Sequence, residues 1–360
     1  MSASRRVTVK EVAAELGVSP STVSNAYNRP DQLSAGLREK VFEAARKLGY
    51  AGPDPFGRGL RQRRANVVGV LFRDRLSYAF ADPAAVMFLE GVSEAVEEAG
   101  LGLLLLPGGS LGSRDTEAIR GAAVDGVVVH SMAADDPLVS AAFERRLPAV
   151  IVDQPPVEGV PSVGIDDEGA AREAAEHLLG LGHRRLGVAS FRLGLRARSG
   201  IVDPAHQGAA TLRPSGARLR GVAAATGAAG IPREDVPVYE CAVSSPAEGE
   251  GAAEALLSRE PRPTAILALS DQIAFGVIEA AARMGLSVPE DLSVVGFDDV
   301  PEASRSTPAL TTLRQPHVEK GLQAGRKLVA QLGEEDPEGQ EELVLPTRLV
   351  VRGSTAAVPS

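Results

Sequence analysis

Thr8-Val9-Lys10-Glu11-Val12-Ala13-Ala14-Glu15-Leu16-Gly17-Val18-Ser19-Pro20-Ser21-Thr22-Val23-Ser24-Asn25-Ala26-Tyr27-Asn28 is the stretch from which the rest of the chain can be read. Thr8 and Glu11 have the spacing of a capping box, in which each residue satisfies a backbone N–H that a helix start leaves unpaired. Val9, Val12, Ala13 and Leu16 recur every three or four residues, the period of one helix face, and Gly17 supplies the left-handed residue that ends it. Ser19 followed by Pro20 is a second N-cap with proline in the first turn, and Val23, Ala26 and Tyr27 form the next apolar stripe. Two short helices joined by a tight turn are predicted.

Packing that second stripe inward turns Ser19, Pro20, Ser21, Thr22, Ser24, Asn25 and Asn28 outward. Asparagine makes paired hydrogen bonds to adenine in the major groove, and serine and threonine suit phosphates or a thymine methyl. A third helix is expected from Ser34 to about Leu48, with Leu37, Val41, Ala44, Ala45 and Leu48 inward and Gly49 as its stop. A helical hairpin that only packs or dimerises is the plain alternative.

Charge divides at the same place. Residues 1–64 carry 12 basic and 6 acidic side chains, leaving 26 and 41 to the remainder of a chain whose net charge is -9. A basic head on an acidic body is the electrostatic footprint of phosphate-backbone binding by the head alone.

Val7-Thr8-Val9-Lys10-Glu11-Val12-Ala13, Gly17-Val18-Ser19-Pro20-Ser21-Thr22-Val23-Ser24-Asn25, Arg38-Glu39-Lys40-Val41 and Leu48-Gly49-Tyr50 together resemble the DNA-binding headpiece of the lac-repressor (LacI/GalR) family of bacterial transcription regulators. The resemblance implies a hinge helix after Tyr50 that orders on operator DNA, pairs with its dimer mate and wedges a leucine into the minor groove. By position that leucine is Leu60, flanked by Arg58 and Arg61 as phosphate and minor-groove contacts. Gly57 and Gly59 stand where the family favours alanine and serine, and each glycine costs about 0.5–1 kcal/mol of helix. An arginine-rich linker is the plain reading of the same residues.

From Val67 the pattern changes to short apolar runs separated by helical stretches: 67–72, 103–106, 126–129 and 149–152, then 186–189, 236–240, 265–269 and 293–297. Such runs read as buried parallel strands, and two doubly wound α/β lobes follow. Ligands in such sheets bind outside the carboxyl ends of the strands. Gly182 to Gly187, Ser270 to Ala274, Val288 to Asp299 and Leu310 to Pro316 extend the resemblance to the family's periplasmic-binding-protein-like core. The fold class expected is therefore an all-α helix-turn-helix headpiece plus an α/β core of two lobes.

That resemblance divides the chain into a DNA-binding domain at 1–52, a hinge at 53–65, one lobe at 66–163 with 316–340, a second at 164–315 with 341–353, and a tail at 354–360. It implies a cleft lined by Asp153, Arg218, Ser270, Asp298 and Gln315, with Phe72, Arg73, Tyr78 and Phe80 from the segment after the first strand. Arginine facing carboxylates suits a sugar or another polar metabolite through charge-assisted hydrogen bonds. Ser270 replaces the more familiar asparagine or aspartate, and Asp298 beside Asp299 equally reads as a turn cap. Residues 190–217 fit no family loop and carry no clear periodicity, as a lid or a loose insert would.

Other functions leave no trace. Gly108-Gly109-Ser110-Leu111-Gly112 is not a G-x-G-x-x-G turn, no P-loop occurs, and no G-x-S-x-G elbow accompanies a histidine partner, so an α/β enzyme lacks its parts. A receptor that only binds small molecules leaves the capped helical head unexplained. No cofactor or metal motif is present, and one cysteine, Cys241, fits a reducing cytoplasm. No apolar run suggests a membrane span. The expectation is a homodimeric regulator of double-stranded operator DNA, governed by a small-molecule effector.

Overall fold

The computed structural model describes residues 7–52, 64–72, 75–108, 113–333 and 342–358. It divides into two compact units, 1–66 and 67–360. The hinge residues Arg58, Leu60 and Arg61, and Arg73 after the first strand, lie outside the described residues.

In the first unit α1 (Val9–Leu16) starts as its sequence requires: the Glu11 carboxylate accepts from the Thr8 backbone N–H at 2.7 Å and its hydroxyl at 3.0 Å. Gly17 closes it at φ +63°, where a side chain would be strained. The Ser19 hydroxyl caps α2 (Pro20–Asn28) by accepting from the Thr22 N–H at 3.1 Å. Ser34 caps α3 (Ala35–Leu48) in the same way. Val12, Ala13, Val23, Ala26, Val41, Ala44 and Ala45 form the core. Phe42, absent from the expected stripe, also packs on it, meeting Tyr27 edge to face at 5.0 Å. Aromatic contact supplements a core too small to rest on aliphatics alone.

The second unit opens with β1 (Val67–Phe72), α4 (Leu76–Ala81), α5 (Pro83–Glu98), β2 (Gly102–Pro107), α6 (Ser113–Gly121), β3 (Gly126–His130), α7 (Pro137–Phe143), β4 (Ala149–Val152) and β5 (Ser162–Ile165). It continues through α8 (Asp167–Gly180), β6 (Leu186–Ser190), β7 (Gly200–Val202), α9 (Pro204–Gly208), α10 (Arg213–Ala228), β8 (Val238–Glu240), α11 (Pro246–Leu257), β9 (Ala265–Ala268), α12 (Asp271–Arg283), β10 (Ser293–Asp298) and β11 (Thr311–Arg314). After α13 (His317–Leu332) come β12 (Glu342–Leu345) and β13 (Arg348–Val350).

Two sheets result, in the orders β12-β5-β4-β3-β1-β2 and β13-β11-β10-β9-β6-β8-β7. Every pairing is parallel except those of the edge strands β7 and β13. A parallel sheet must be covered on both faces, and the strands alternate accordingly. Ala265 and Leu267 of β9 enter one buried cluster, and Ile266 and Ala268 enter the cluster on the opposite face. Because β12 still pairs with β5, the last change of sheet falls after Leu345 rather than at Glu341.

Two expectations need correction. Residues 190–217 are neither loose nor structureless: β7 adds antiparallel to β8, Leu193, Val202 and Leu212 are buried, and the Glu240 carboxylate accepts from the Leu193 N–H at 2.9 Å. Apolar anchors spaced about ten apart give no helical or strand period, which hid this order. The residues after Arg352 are also more than a tail. Ser354 is fully buried, donating to the Val294 carbonyl at 2.6 Å and accepting from the Thr311 N–H at 2.8 Å, and His183 meets the Ala356 carbonyl at 3.1 Å.

Candidate functional site

The first unit presents the outward face of α2. Ser19, Pro20, Ser21 and Asn28 are exposed, and Thr22, Ser24 and Asn25 are half-buried. Their polar groups are tied to one another: Ser19 Oγ lies 2.7 Å from Ser21 Oγ and 2.8 Å from Thr22 Oγ1, and Asn28 Nδ2 donates to the Ser24 carbonyl at 3.0 Å. Asn25 Nδ2 donates to Gln32 Oε1 at 3.3 Å. These short side chains sit on a helix and are held in a fixed pattern of donors and acceptors.

In the second unit the carboxyl ends of both sheets converge on one cleft, with a cavity of about 190 Å³. Phe72, Asp153, Arg218, Ser270, Asp298 and Gln315 all line it. Each stands at or just beyond a strand end except Arg218, which comes from the second turn of α10. Phe80 does not line the cleft; it is 65 % exposed on α4, because the short helix turns that side chain outward. The Tyr78 side chain lies outside the described residues.

The cleft floor is a chain of charge-assisted hydrogen bonds. Lys320 Nζ, only 2 % exposed, donates to Asp153 Oδ1 at 2.8 Å and to Gln315 Oε1 at 3.0 Å. Gln315 Nε2 in turn donates to Asp298 Oδ1 at 2.7 Å. Burial pushes the Asp153 carboxyl upward, but Lys320 and His130 together outweigh it and hold the group below its ordinary range. Asp153 and Asp298 both adopt positive φ, 62° and 136°, a conformation costly enough to persist only where the surroundings enforce it.

The opposite wall is built on Arg218. Its Nε donates to Asp167 Oδ1 at 2.8 Å and its Nη1 to the Leu269 carbonyl at 2.7 Å, with the guanidinium carbon 3.6 Å above the Phe297 ring. Burial raises the Asp167 carboxyl against the opposing pull of Arg218. Ser270 serves as N-cap of α12, its hydroxyl accepting from the Ile273 N–H at 3.2 Å. Behind it, burial and the Asp298 charge push the Asp271 carboxyl up to about 8.

Several cleft residues escaped the sequence reading. His130 ends β3 against Phe88 and Phe72, with ring centroids 4.3 and 5.0 Å away, and burial lowers its imidazole to about 4. Gln154 Oε1 accepts from the Arg213 N–H at 2.6 Å, linking the β4 end to α10. Phe191, Arg192 and His317 also line the cavity. Lys320 left a signal: His317, Lys320, Ala324 and Leu328 form the buried stripe of α13, and a lysine on an apolar stripe needs a buried partner.

Residues 8–52 match the family model described as bacterial regulatory proteins, lacI family, and residues 175–355 match a periplasmic binding protein-like domain. An HTH-type transcriptional regulator of Mycobacterium tuberculosis is 45 % identical over 99 % of this chain and 98 % of its own. A LacI-family regulator from Corynebacterium glutamicum has a crystal structure 37 % identical, with TM-score 0.73 over 99 % of this chain and 100 % of that one. The CelR–cellobiose complex is 31 % identical, with TM-score 0.71 over 97 % and 100 %. Among the described residues no helix is long and apolar enough to cross a membrane. With a capped helix-turn-helix head, a two-sheet body around a polar cleft and likeness sustained along nearly the whole length, the chain belongs to the lacI family of bacterial regulatory proteins and is a DNA-binding transcriptional regulator with an effector-binding core.

Proposed function

We propose that this regulator is a homodimeric repressor whose cleft binds a neutral polyhydroxy metabolite. The observation that carries the ligand class is the internal pairing of the deep charges: Lys320 with Asp153, and Arg218 with Asp167. A ligand meeting paired charges gains from hydrogen bonds rather than from net charge, and carboxylates and guanidinium groups held this way suit hydroxyls. Phe72 and Phe191 offer apolar faces beside them. The cellobiose carried by the CelR complex is a ligand of this class.

In this reading residues 1–52 form the DNA-binding domain and 53–65 the hinge. One lobe combines 66–163 with 316–340 and β12, and the other 164–315 with β13. Each α2 lies in a major groove of a near-palindromic site, with Ser19, Pro20, Ser21, Thr22, Ser24, Asn25 and Asn28 toward bases and phosphates. Paired hinges set Leu60 in the central minor groove, with Arg58 and Arg61 on the backbone. Ligand in the cleft selects one arrangement of the lobes and so favours or disfavours that pairing. The operator is found by selection from random duplexes. Asn25→Ala then weakens binding to it by about 1–3 kcal/mol while leaving salt-dependent binding to unrelated DNA intact. Equal loss on both kinds of DNA removes Asn25 from base reading.

A further inference from the structure

His317 stands apart from the paired groups of the cleft. It opens α13 directly after Gln315 and Pro316, is 7 % exposed and lines the cavity. Its Nε2 has no hydrogen-bond partner among the described residues. The nearest acid is Asp298 Oδ1 at 3.3 Å, where the ion-pair distance is met but no hydrogen bond forms, and that oxygen already accepts from Gln315 Nε2 at 2.7 Å. A carboxylate at this distance favours the tautomer with the proton on Nε2, which makes the nitrogen a donor.

From this geometry we infer that His317 is a specificity-determining residue: with Asp298 it forms a donor–acceptor pair for one ligand hydroxyl, which donates to the carboxylate and accepts from the imidazole. The inference rests on the polyhydroxy reading of the cleft and adds the residue that reads a particular hydroxyl. Nε2 is shut off from solvent, so a modest turn of the ring accompanies engagement. That same seclusion makes the contact selective. A donor already removed from water gives up no hydration when a ligand arrives, so only the ligand hydroxyl is desolvated on binding, and a ligand lacking the hydroxyl leaves the donor orphaned. Lys320, Asp153 and Gln315 are already hydrogen-bonded among themselves.

The test uses the full-length protein, His317→Leu and His317→Gln, with a panel of neutral pentoses, hexoses, disaccharides and cyclic polyols and their monodeoxy counterparts. Thermal shift finds the binder and calorimetry measures it. Wild type prefers the binder over one of its deoxy forms by about tenfold or more; His317→Leu removes that preference, and His317→Gln, which keeps a donor, restores part of it. In the ligand-free protein His317→Leu melts at or above the wild-type temperature, because an orphaned donor has been replaced by an apolar group; a merely structural imidazole gives a lower melting temperature instead. Unchanged deoxy discrimination in His317→Leu, or a clear fall in its ligand-free melting temperature, overturns the role of His317 alone. If no panel member binds wild type, the polyhydroxy reading falls and this inference falls with it.

Discussion

Lys320 shows how a single side chain sets the properties of the cleft. Its ammonium is enclosed with Asp153 and Gln315, so a substitution that keeps the stem and removes the charge leaves a buried carboxylate uncompensated. Lys320→Met is expected to destabilise the core by about 3–5 kcal/mol, read as a lower denaturation midpoint with an unchanged denaturant slope. A loss under 1 kcal/mol shows that water reaches Asp153 readily. His130 governs pH response on the same floor. Burial lowers its imidazole from the ordinary 6.5 to about 4, so between these limits the unfolded chain takes up a proton that the folded chain refuses. Stability present at neutral pH is therefore lost as pH falls from about 6.5 to about 4, by up to about 3 kcal/mol. His130→Phe keeps the packing on Phe88 and Phe72 and flattens the melting profile over that window. An equally steep profile assigns the acid lability to other groups.

Pairs of helices are held so close that their backbones touch. At Gly91 of α5 an added Cβ lies 1.8 Å from the Val318 carbonyl oxygen on α13, and at Gly321 of α13 it lies 2.0 Å from the Phe88 carbonyl oxygen on α5. In an exposed helix interior glycine to alanine gains about 0.5–1 kcal/mol. Here the clash is with backbone, which cannot rotate away, and overpacking of this kind costs about 1–3 kcal/mol or more. The sign is therefore reversed: Gly91→Ala lowers the thermal midpoint, and a rise refutes the close approach. Since α13 also carries His317 and Lys320, the helix separation set by two missing side chains decides where the cleft floor stands.

At the scale of the whole molecule, regulation is an exchange of free energy between DNA and the small molecule. If a saturating polyol changes operator affinity by a given factor, operator duplex must change polyol affinity by the same factor. Calorimetric titration of the ligand with and without duplex, set against anisotropy titration of the duplex with and without ligand, checks the equality. Unequal factors mean that another equilibrium, such as a change in subunit association, is coupled to binding.

The amino-acid order alone was enough for whatever depends on near neighbours. The capping box of Thr8 and Glu11, the stop at Gly17, the outward-facing residues of α2 and the apolar runs of the central strands all follow from spacing over a few positions, and the two-lobed body follows from their alternation with helices. Edge strands such as β7 and β13 stayed hidden because their few residues alternate over too short a span. Buried polar partners were hidden for a different reason. Lys320 meets Asp153, Arg218 meets Asp167 and Ser354 meets Val294 across separations that no local period encodes. Those pairings exist only once the sheets bring strand ends together, because the attraction between buried groups depends on distance in space and on exclusion of water, neither of which is written along the chain.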